Sequence, residues 1–239
     1  MGRSVKTEAI VLRKLRYGEA DSIVQLYTRE FGRVGAIAKG VRRANSRFGG
    51  RLEPFFRLEA MLHEGRSDLM TITSVETIEA HARLRTHARS LETASKLADF
   101  VLRLLDEREQ NVAAYNLLAN ALALLDADGS KATAQTALAF CAKLLPVTGF
   151  APELLRCVHC GAEEGLVAFS PSAGGVVCRD CREAGDFDFG KKSYEFLVGA
   201  LGAPLAEAPE ASPAALREVD RAIAETLAHH AHVRVRTMV

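Results

Sequence analysis

Two cysteine pairs, "CVHC" at 157–160 and "CRDC" at 178–181, stand seventeen residues apart, and no other feature restricts the fold of this chain as tightly. Each C-x2-C turn converges two sulfurs, and four thiolates at about 2.3 Å complete the tetrahedral shell of a structural zinc. The gap suits a zinc ribbon. Gly161 fits the turn after the first pair, and "LVAFSPSAGGVV" reads as a hairpin between the two knuckles. Cys157, Cys160, Cys178 and Cys181 are therefore expected to hold Zn2+, although a redox pair or a metal-free remnant shares the same spacing. With four protein ligands no position is left for a reactive water, so the ion is expected to be structural and to supply on the order of 10 kcal/mol of local folding free energy. His159, between two ligands, reads as a solvent-facing knuckle residue. The fifth cysteine, Cys141 in "ALAFCAKLL", reads as a small buried hydrophobe. Cysteine usage of this kind fits a reducing cytosol.

Outside the cysteine element the chain changes period once. Up to about residue 80, "KTEAIVLRKL", "DSIVQLYT", "RVGAIAKG", "FFRLEAMLH" and "LMTITSVETI" are short runs rich in β-branched and aromatic residues, several alternating apolar with polar. "REFG" and "EGRSD" supply turns. Five strands in this length predict a small closed barrel, of OB type or SH3-like, since closure removes the exposed edges.

From Ala82 onward the spacing of Leu84, Leu91, Leu97, Val101, Leu104 and Leu105 predicts one amphipathic helix. A second follows Asn111 as N-cap and stops at Gly129, and a third is bent or ended at Pro146. "KKSYEFLVGAL" resumes helix after the cysteines, "GAPLAEAPEASP" connects, and Ser212-Pro213 caps and opens a last helix. The expected organisation is α+β: a five-stranded barrel over 1–80, then a helical bundle over 81–239 with the zinc-binding element inserted at 155–185. The 48% hydrophobic content is ample for such cores.

Charge is the other informative quantity, through its distribution. The total is +1, yet residues 1–66 hold 14 Lys/Arg against 7 Asp/Glu, and the remainder holds 17 against 23. That asymmetry predicts a polyanion-facing segment joined to a different module. Its centre is "AKGVRRANSRFGGRLEPFF", where Lys39, Arg42, Arg43, Arg47 and Arg51 occur without an intervening acid, next to Phe48, Phe55 and Phe56. Cations that neutralise phosphates beside rings that stack bases make a nucleic-acid surface. An acidic protein, an anionic lipid or a merely solvated loop are the other readings. At least one of Phe55 and Phe56 is expected in the core, because both sit in an apparent strand.

Other groupings are weaker. Glu19 and Asp21 in "YGEADS" could be a carboxylate pair, but no histidine or third acid is near, and a turn role suits them better. His229, His230 and His232 sit at a helix end, and i, i+3 is not the i, i+4 spacing that a helical metal site prefers. No P-loop, G-x-S-x-G or H-E-x-x-H occurs. The N-terminus has no signal-peptide core, and Lys6 replaces the Ser or Thr of a myristoylation signal. No apolar run is long enough to span a membrane.

"YGEADSIV", "LYTREFG" and "AKGVRR…SRFGGRLEPF", followed by a helical region, "GFAPELLRCVHCG" and the second cysteine pair, resemble in order and spacing the bacterial RecO recombination-repair family. The resemblance spans most of the chain and implies an OB-fold, a helical bundle and a zinc-binding element. It further implies a non-enzymatic, cytoplasmic protein, nucleoid-associated during repair. Such a protein binds single- and double-stranded DNA and anneals complementary strands. With RecR, and in some settings RecF, it assists RecA onto DNA coated by single-strand binding protein, whose acidic C-terminal tail it contacts. Carried onto this sequence, the DNA-binding positions are Lys39, Arg42, Arg43, Arg47 and Arg51, with Arg33 added. The rival readings are an RNA-binding OB/zinc-ribbon protein of translation or transcription, and a nuclease using Glu19 and Asp21.

Overall fold

A computed structural model of the chain describes residues 3–65 and 67–239. Strands β1 (Ser4–Tyr17), β2 (Asp21–Thr28), β3 (Gly32–Ala38), β4 (Arg57–His63) and β5 (Met70–Glu79) close a barrel in the order β1-β2-β3-β5-β4. All neighbours are antiparallel except β3 and β5, which meet in parallel at Ala36↔Met70 and Ile37↔Thr71. This five-stranded closed order is the expected OB-fold, and the SH3-like alternative falls away. The turn "EGRSD" includes Arg66, which lies outside the described residues, as do the first two residues of the chain.

One strand serves two partners. β1 pairs with β4 over Ser4–Ile10 and with β2 over Ala9–Tyr17, and a bulge between Val11 and Arg13 lets it bend from one neighbour to the other. Around that bend Ala9, Ile10, Val11 and Leu12 are all buried, whereas β4 alternates strictly. Val11, Val24, Leu26, Val34, Leu58, Leu62 and Ile72 fill the barrel.

The chain forms two compact units. The first comprises the residues up to Ala94 together with Leu105–Ala127; the second comprises Ser95–Leu104 and Asp128–Val239. Helices α1 (Ala82–Thr86), the start of α2 (Ala88–Leu104) and α3 (Val112–Ala127) thus accompany the barrel. Asn111 caps α3 as expected, its side chain accepting from the Ala114 N–H at 2.9 Å. The Tyr115 hydroxyl of α3 donates to Glu8 on β1 (3.3 Å), and the Tyr27 hydroxyl of β2 donates to the Asn111 carbonyl (3.2 Å). Just before α3, the chain runs beside β3, where the Arg108 N–H donates to the Arg33 carbonyl at 2.9 Å. Gly32 makes room for it: a Cβ there would lie 1.8 Å from the Glu109 carbonyl oxygen, and its φ of +62° is left-handed.

Two helical expectations change. The helix expected from Ala82 breaks at His87, whose extended backbone (φ −103°, ψ 112°) separates α1 from α2. Leu91, taken for a core position, is exposed, and Leu105 lies beyond α2 although it is buried. Leu84 therefore sits in α1, whereas Leu91, Leu97 and Leu104 sit in α2. α3 ends at Ala127, and Gly129 opens a short 3-10 turn instead of stopping the helix itself.

In the second unit α4 (Ala134–Val147) carries Pro146 in its last turn and ends there. A three-stranded sheet follows, of order β7-β6-β8, from β6 (Leu166–Ser170), β7 (Gly175–Cys178) and β8 (Phe187–Asp188). Then come α5 (Lys191–Gly202) and α6 (Pro213–His230), the latter capped by Ser212 through the Ala215 N–H. Glu218 of α6 closes the start of α5 by accepting from the Gly190 N–H (2.8 Å) and the Ser193 hydroxyl (2.5 Å). No helix of the described residues is long and apolar enough to cross a membrane.

Candidate nucleic-acid interface and metal centre

The basic segment between β3 and β4 is a string of turns with two faces. Backbone bonds from Arg43 to Gly40, Ser46 to Arg43, Gly49 to Ser46 and Arg51 to Phe48 fold it tightly. Val41, Phe48, Leu52 and Phe56 point inward and join the barrel core. Lys39, Arg42, Arg43, Arg47 and Arg51 are all exposed. Apolar residues at this spacing have only one low-energy place to go, so the segment plugs the barrel end and its cations are turned outward.

The rings must therefore be reassigned. Phe48 is 1% exposed, and Phe55 and Phe56 are also buried. None of the three can stack a base: the strand pattern places at least one of Phe55 and Phe56 in the core, and the fold buries both, with Phe48 as well. Phe55 takes a left-handed φ of 70°, held by its N–H to Val11 (2.7 Å) and by the contact of its carbonyl with His81 Nδ1 (2.7 Å).

Among the described residues, no carboxylate pairs with any of the five exposed cations. Arg42 Nη1 donates to the Gly18 carbonyl (3.2 Å), Arg51 Nη1 grazes the Arg47 carbonyl (3.4 Å), and Arg47 lies over the Phe48 ring. The acid closest in sequence, Glu53, is engaged by Lys14 at 2.7 Å. Arg33 differs from the others. It is half-buried and faces Glu107 at 3.7 Å, so part of its charge is balanced within the fold, while its buried Nε has no partner.

The β1–β2 hairpin is fastened to this segment. Gly40 N–H donates to Asp21 Oδ1 at 2.7 Å and Arg42 N–H to the Ala20 carbonyl at 2.9 Å. Asp21 thus has the turn role expected of it, Glu19 is exposed, and neither belongs to a metal-capable cluster among the described residues. The hairpin brings Arg13 and Arg16, both exposed, onto the same structure. Sequence reasoning passed over them because "LRKLRY" reads as an ordinary edge of a strand. The signal was the length of β1: fourteen residues overshoot a small barrel, and the overshoot carries no acid.

In the second unit the four Sγ atoms of Cys157, Cys160, Cys178 and Cys181 lie within 4.8 Å of one another. The 3.8 Å between Cys160 and Cys178 is far too long for a disulfide and close to the edge of a tetrahedron with arms of about 2.3 Å. The expected hairpin is there, β6 against β7, with Cys178 ending β7. Gly161, at φ +77°, turns the chain after the first pair. Burial pushes the Cys157 thiol up, but N–H groups of Cys178, Cys160 and His159 outweigh it and hold the thiol down at about 6. Hydrogen bonds from the Cys181 thiol to the sulfurs of Cys160 and Cys178, which its protonated form makes, push it up to about 12. Four thiols this close cannot all ionise unaided, and a divalent cation relieves that repulsion, so the donor set fits a metal. His159 is exposed and Cys141 is fully buried in α4, as expected. The histidines at the end of α6 form no metal cluster; His230 Nε2 instead meets the Pro171 carbonyl at 2.9 Å.

Two family descriptions match the chain: "Recombination protein O N terminal" over residues 1–81 and "Recombination protein O C terminal" over residues 89–238. The chain is 38% identical over 230 residues to the DNA repair protein RecO of Rubrobacter xylanophilus, covering 94% of this chain and 90% of that one. It is 37% identical to the protein of the same name from Nocardioides sp., covering 98% and 97% of the two chains. Against that of Cutibacterium acnes the identity is 32%, with 98% and 96% covered. With an OB barrel, a helical region and a four-cysteine cluster in that order, the chain belongs to the RecO (Recombination protein O) family.

Proposed function

We propose that this protein is a non-enzymatic DNA-repair and recombination mediator. It binds single- and double-stranded DNA through residues 1–80 and anneals complementary strands. Together with RecR, and in some settings RecF, it promotes RecA loading onto DNA coated by single-strand binding protein. The helical domain over 81–239, with its zinc element at 155–185, contacts the acidic tail of the single-strand binding protein, and the protein works in the bacterial cytoplasm at the nucleoid. The observation that carries this reading is the set of five exposed, acid-free cations on one segment rooted in the barrel core.

Annealing needs no bond to be made or broken in the protein. Lys39, Arg42, Arg43, Arg47 and Arg51 replace counterions along the phosphates, and two strands held at one cationic surface repel each other less and pair. If about four or five phosphates are contacted, log K falls with log salt at a slope of roughly −3 to −4 on single strands. Cys157, Cys160, Cys178 and Cys181 would hold Zn2+. Bound zinc supplies no reaction chemistry; it crosslinks the knuckles of a small sheet whose own core is only a few residues.

The deciding experiment is strand annealing on DNA coated with single-strand binding protein, with and without that protein's acidic tail. Stimulation that depends on the tail supports the proposal; annealing indifferent to the tail overturns the partner assignment. A salt response close to flat overturns the electrostatic mechanism. Competition with matched RNA and DNA oligomers is expected to favour DNA.

A further inference from the structure

Phosphate neutralisation alone gives a surface that holds any strand. Single-strand binders add exposed aromatic faces on which bases stack. The three phenylalanines of the basic segment are buried and cannot serve. The protein has no tryptophan, and among the described residues Tyr17 is the one tyrosine or phenylalanine more than about a third exposed, at 52%. It stands at the end of β1, at the tip of the hairpin fastened to the cationic segment.

We infer that Tyr17 is the base-stacking platform of the proposed DNA surface, and that it gives the protein a grip on single strands which duplex DNA does not receive. This rests on the reading that the barrel binds nucleic acid.

Alternation along β1 puts Leu15, itself 40% exposed, and Arg13 on the same side of the strand as Tyr17. The tip therefore offers an apolar and aromatic patch followed by a cation, matching a base with its phosphate beside it.

The hairpin that carries the ring is tied to the cationic segment. The turn carbonyls of Gly18 and Ala20 both accept from Arg42, and Asp21, the register partner of Tyr17, accepts from Gly40. Ring and charges therefore belong to one preorganised surface, and little ordering is left for the strand to impose on the protein. Bases in a duplex are already stacked on their neighbours, so only an unpaired base gains from the ring.

The test uses the full-length protein with Tyr17→Ala, Tyr17→Phe and Arg43→Ala/Arg47→Ala. The probes are an oligothymidylate carrying one 2-aminopurine and a blunt duplex of equal length. Tyr17→Ala is expected to weaken single-strand binding about tenfold with the salt slope and duplex affinity unchanged. The 2-aminopurine quenching seen on binding is lost in Tyr17→Ala and kept in Tyr17→Phe. Single-strand affinity equal to wild type in Tyr17→Ala overturns the inference, as does an equal loss on both probes. The parent reading fails separately: an Arg43→Ala/Arg47→Ala variant whose salt slope matches wild type removes the phosphate surface whatever Tyr17 does.

Discussion

The guanidinium of Arg47 lies 5.0 Å from the ring centroid of Phe48, its neighbour in sequence, yet the two side chains belong to opposite sides of the barrel wall. Phe48 is buried in the core and Arg47 is exposed to solvent. Phe48→Ala is therefore expected to destabilise the barrel by about 3–5 kcal/mol, the cost of a large cavity. Arg47→Ala should stay within about 0.5 kcal/mol of wild type. Urea melts of both variants check this, and equal stabilities would contradict the placement of the ring.

Combined replacement of Arg42, Arg43 and Arg47 by alanine removes charges that no carboxylate balances. The expected result is weaker single-strand binding, with a salt slope shallower by about 2 if each arginine meets one phosphate. Far-ultraviolet circular dichroism should show the secondary structure intact. Anisotropy titrations at several salt concentrations give the slope.

For the cysteine cluster the expected stoichiometry is one zinc per chain by elemental analysis. Cys157→Ser and Cys178→Ser each abolish it, while Cys141→Ser leaves it intact, because Cys141 lies in α4 away from the cluster. Chelation should lower the thermal stability of the wild-type protein and leave a cysteine-substituted variant unaffected.

Glu8 links barrel charges to α3. It accepts from Arg57 Nη2 at 2.8 Å and from the Tyr115 hydroxyl at 3.3 Å, and Arg29 approaches at 3.6 Å. The Arg57 hydrogen bond, against an opposing effect of burial, holds the Glu8 carboxyl below its usual range. Because the folded value lies below the unfolded one, Glu8 contributes its stability above about pH 4.3 and loses it as pH falls through the folded value. Glu8→Gln should cost about 1–2 kcal/mol at pH 7, with the gap to wild type closing towards pH 3. Denaturant melts across that range decide it, and a gap constant with pH would remove the charge from the account.

Alternation and β-branched residues made the five strands legible, and the C-x2-C spacing led directly to a cluster whose sulfurs do converge. Legibility ended where a side chain's direction depends on a fold not yet formed. Phe48 beside Arg47 looks in sequence like a stacking residue, and only barrel closure shows that its side of the turn faces inward. Leu84 and Leu91 are seven apart and fit one helical stripe, but the extended backbone at His87 rotates the second helix and leaves Leu91 outside. Tyr17 was overlooked for the complementary reason: a lone tyrosine next to a Gly-containing turn carries no local signal, and its exposure follows from β1 outrunning its barrel. The basic positions were visible as charge, whereas the separation of Arg33 from the other five needed Glu107, seventy-four residues away in sequence.

The bonds that Tyr115, Asn111 and Arg108 make to β1, β2 and β3 have a practical consequence for anyone dissecting the molecule. A fragment ended at residue 80 would keep all five strands and Lys39, Arg42, Arg43, Arg47 and Arg51. It would also strip the tyrosine hydroxyl from Glu8, the carbonyl from Tyr27 and the flanking chain from Gly32. Such a fragment is expected to self-associate through its newly bared flank, so strong DNA retention by it would measure aggregation on a polyanion and not the affinity of the native surface.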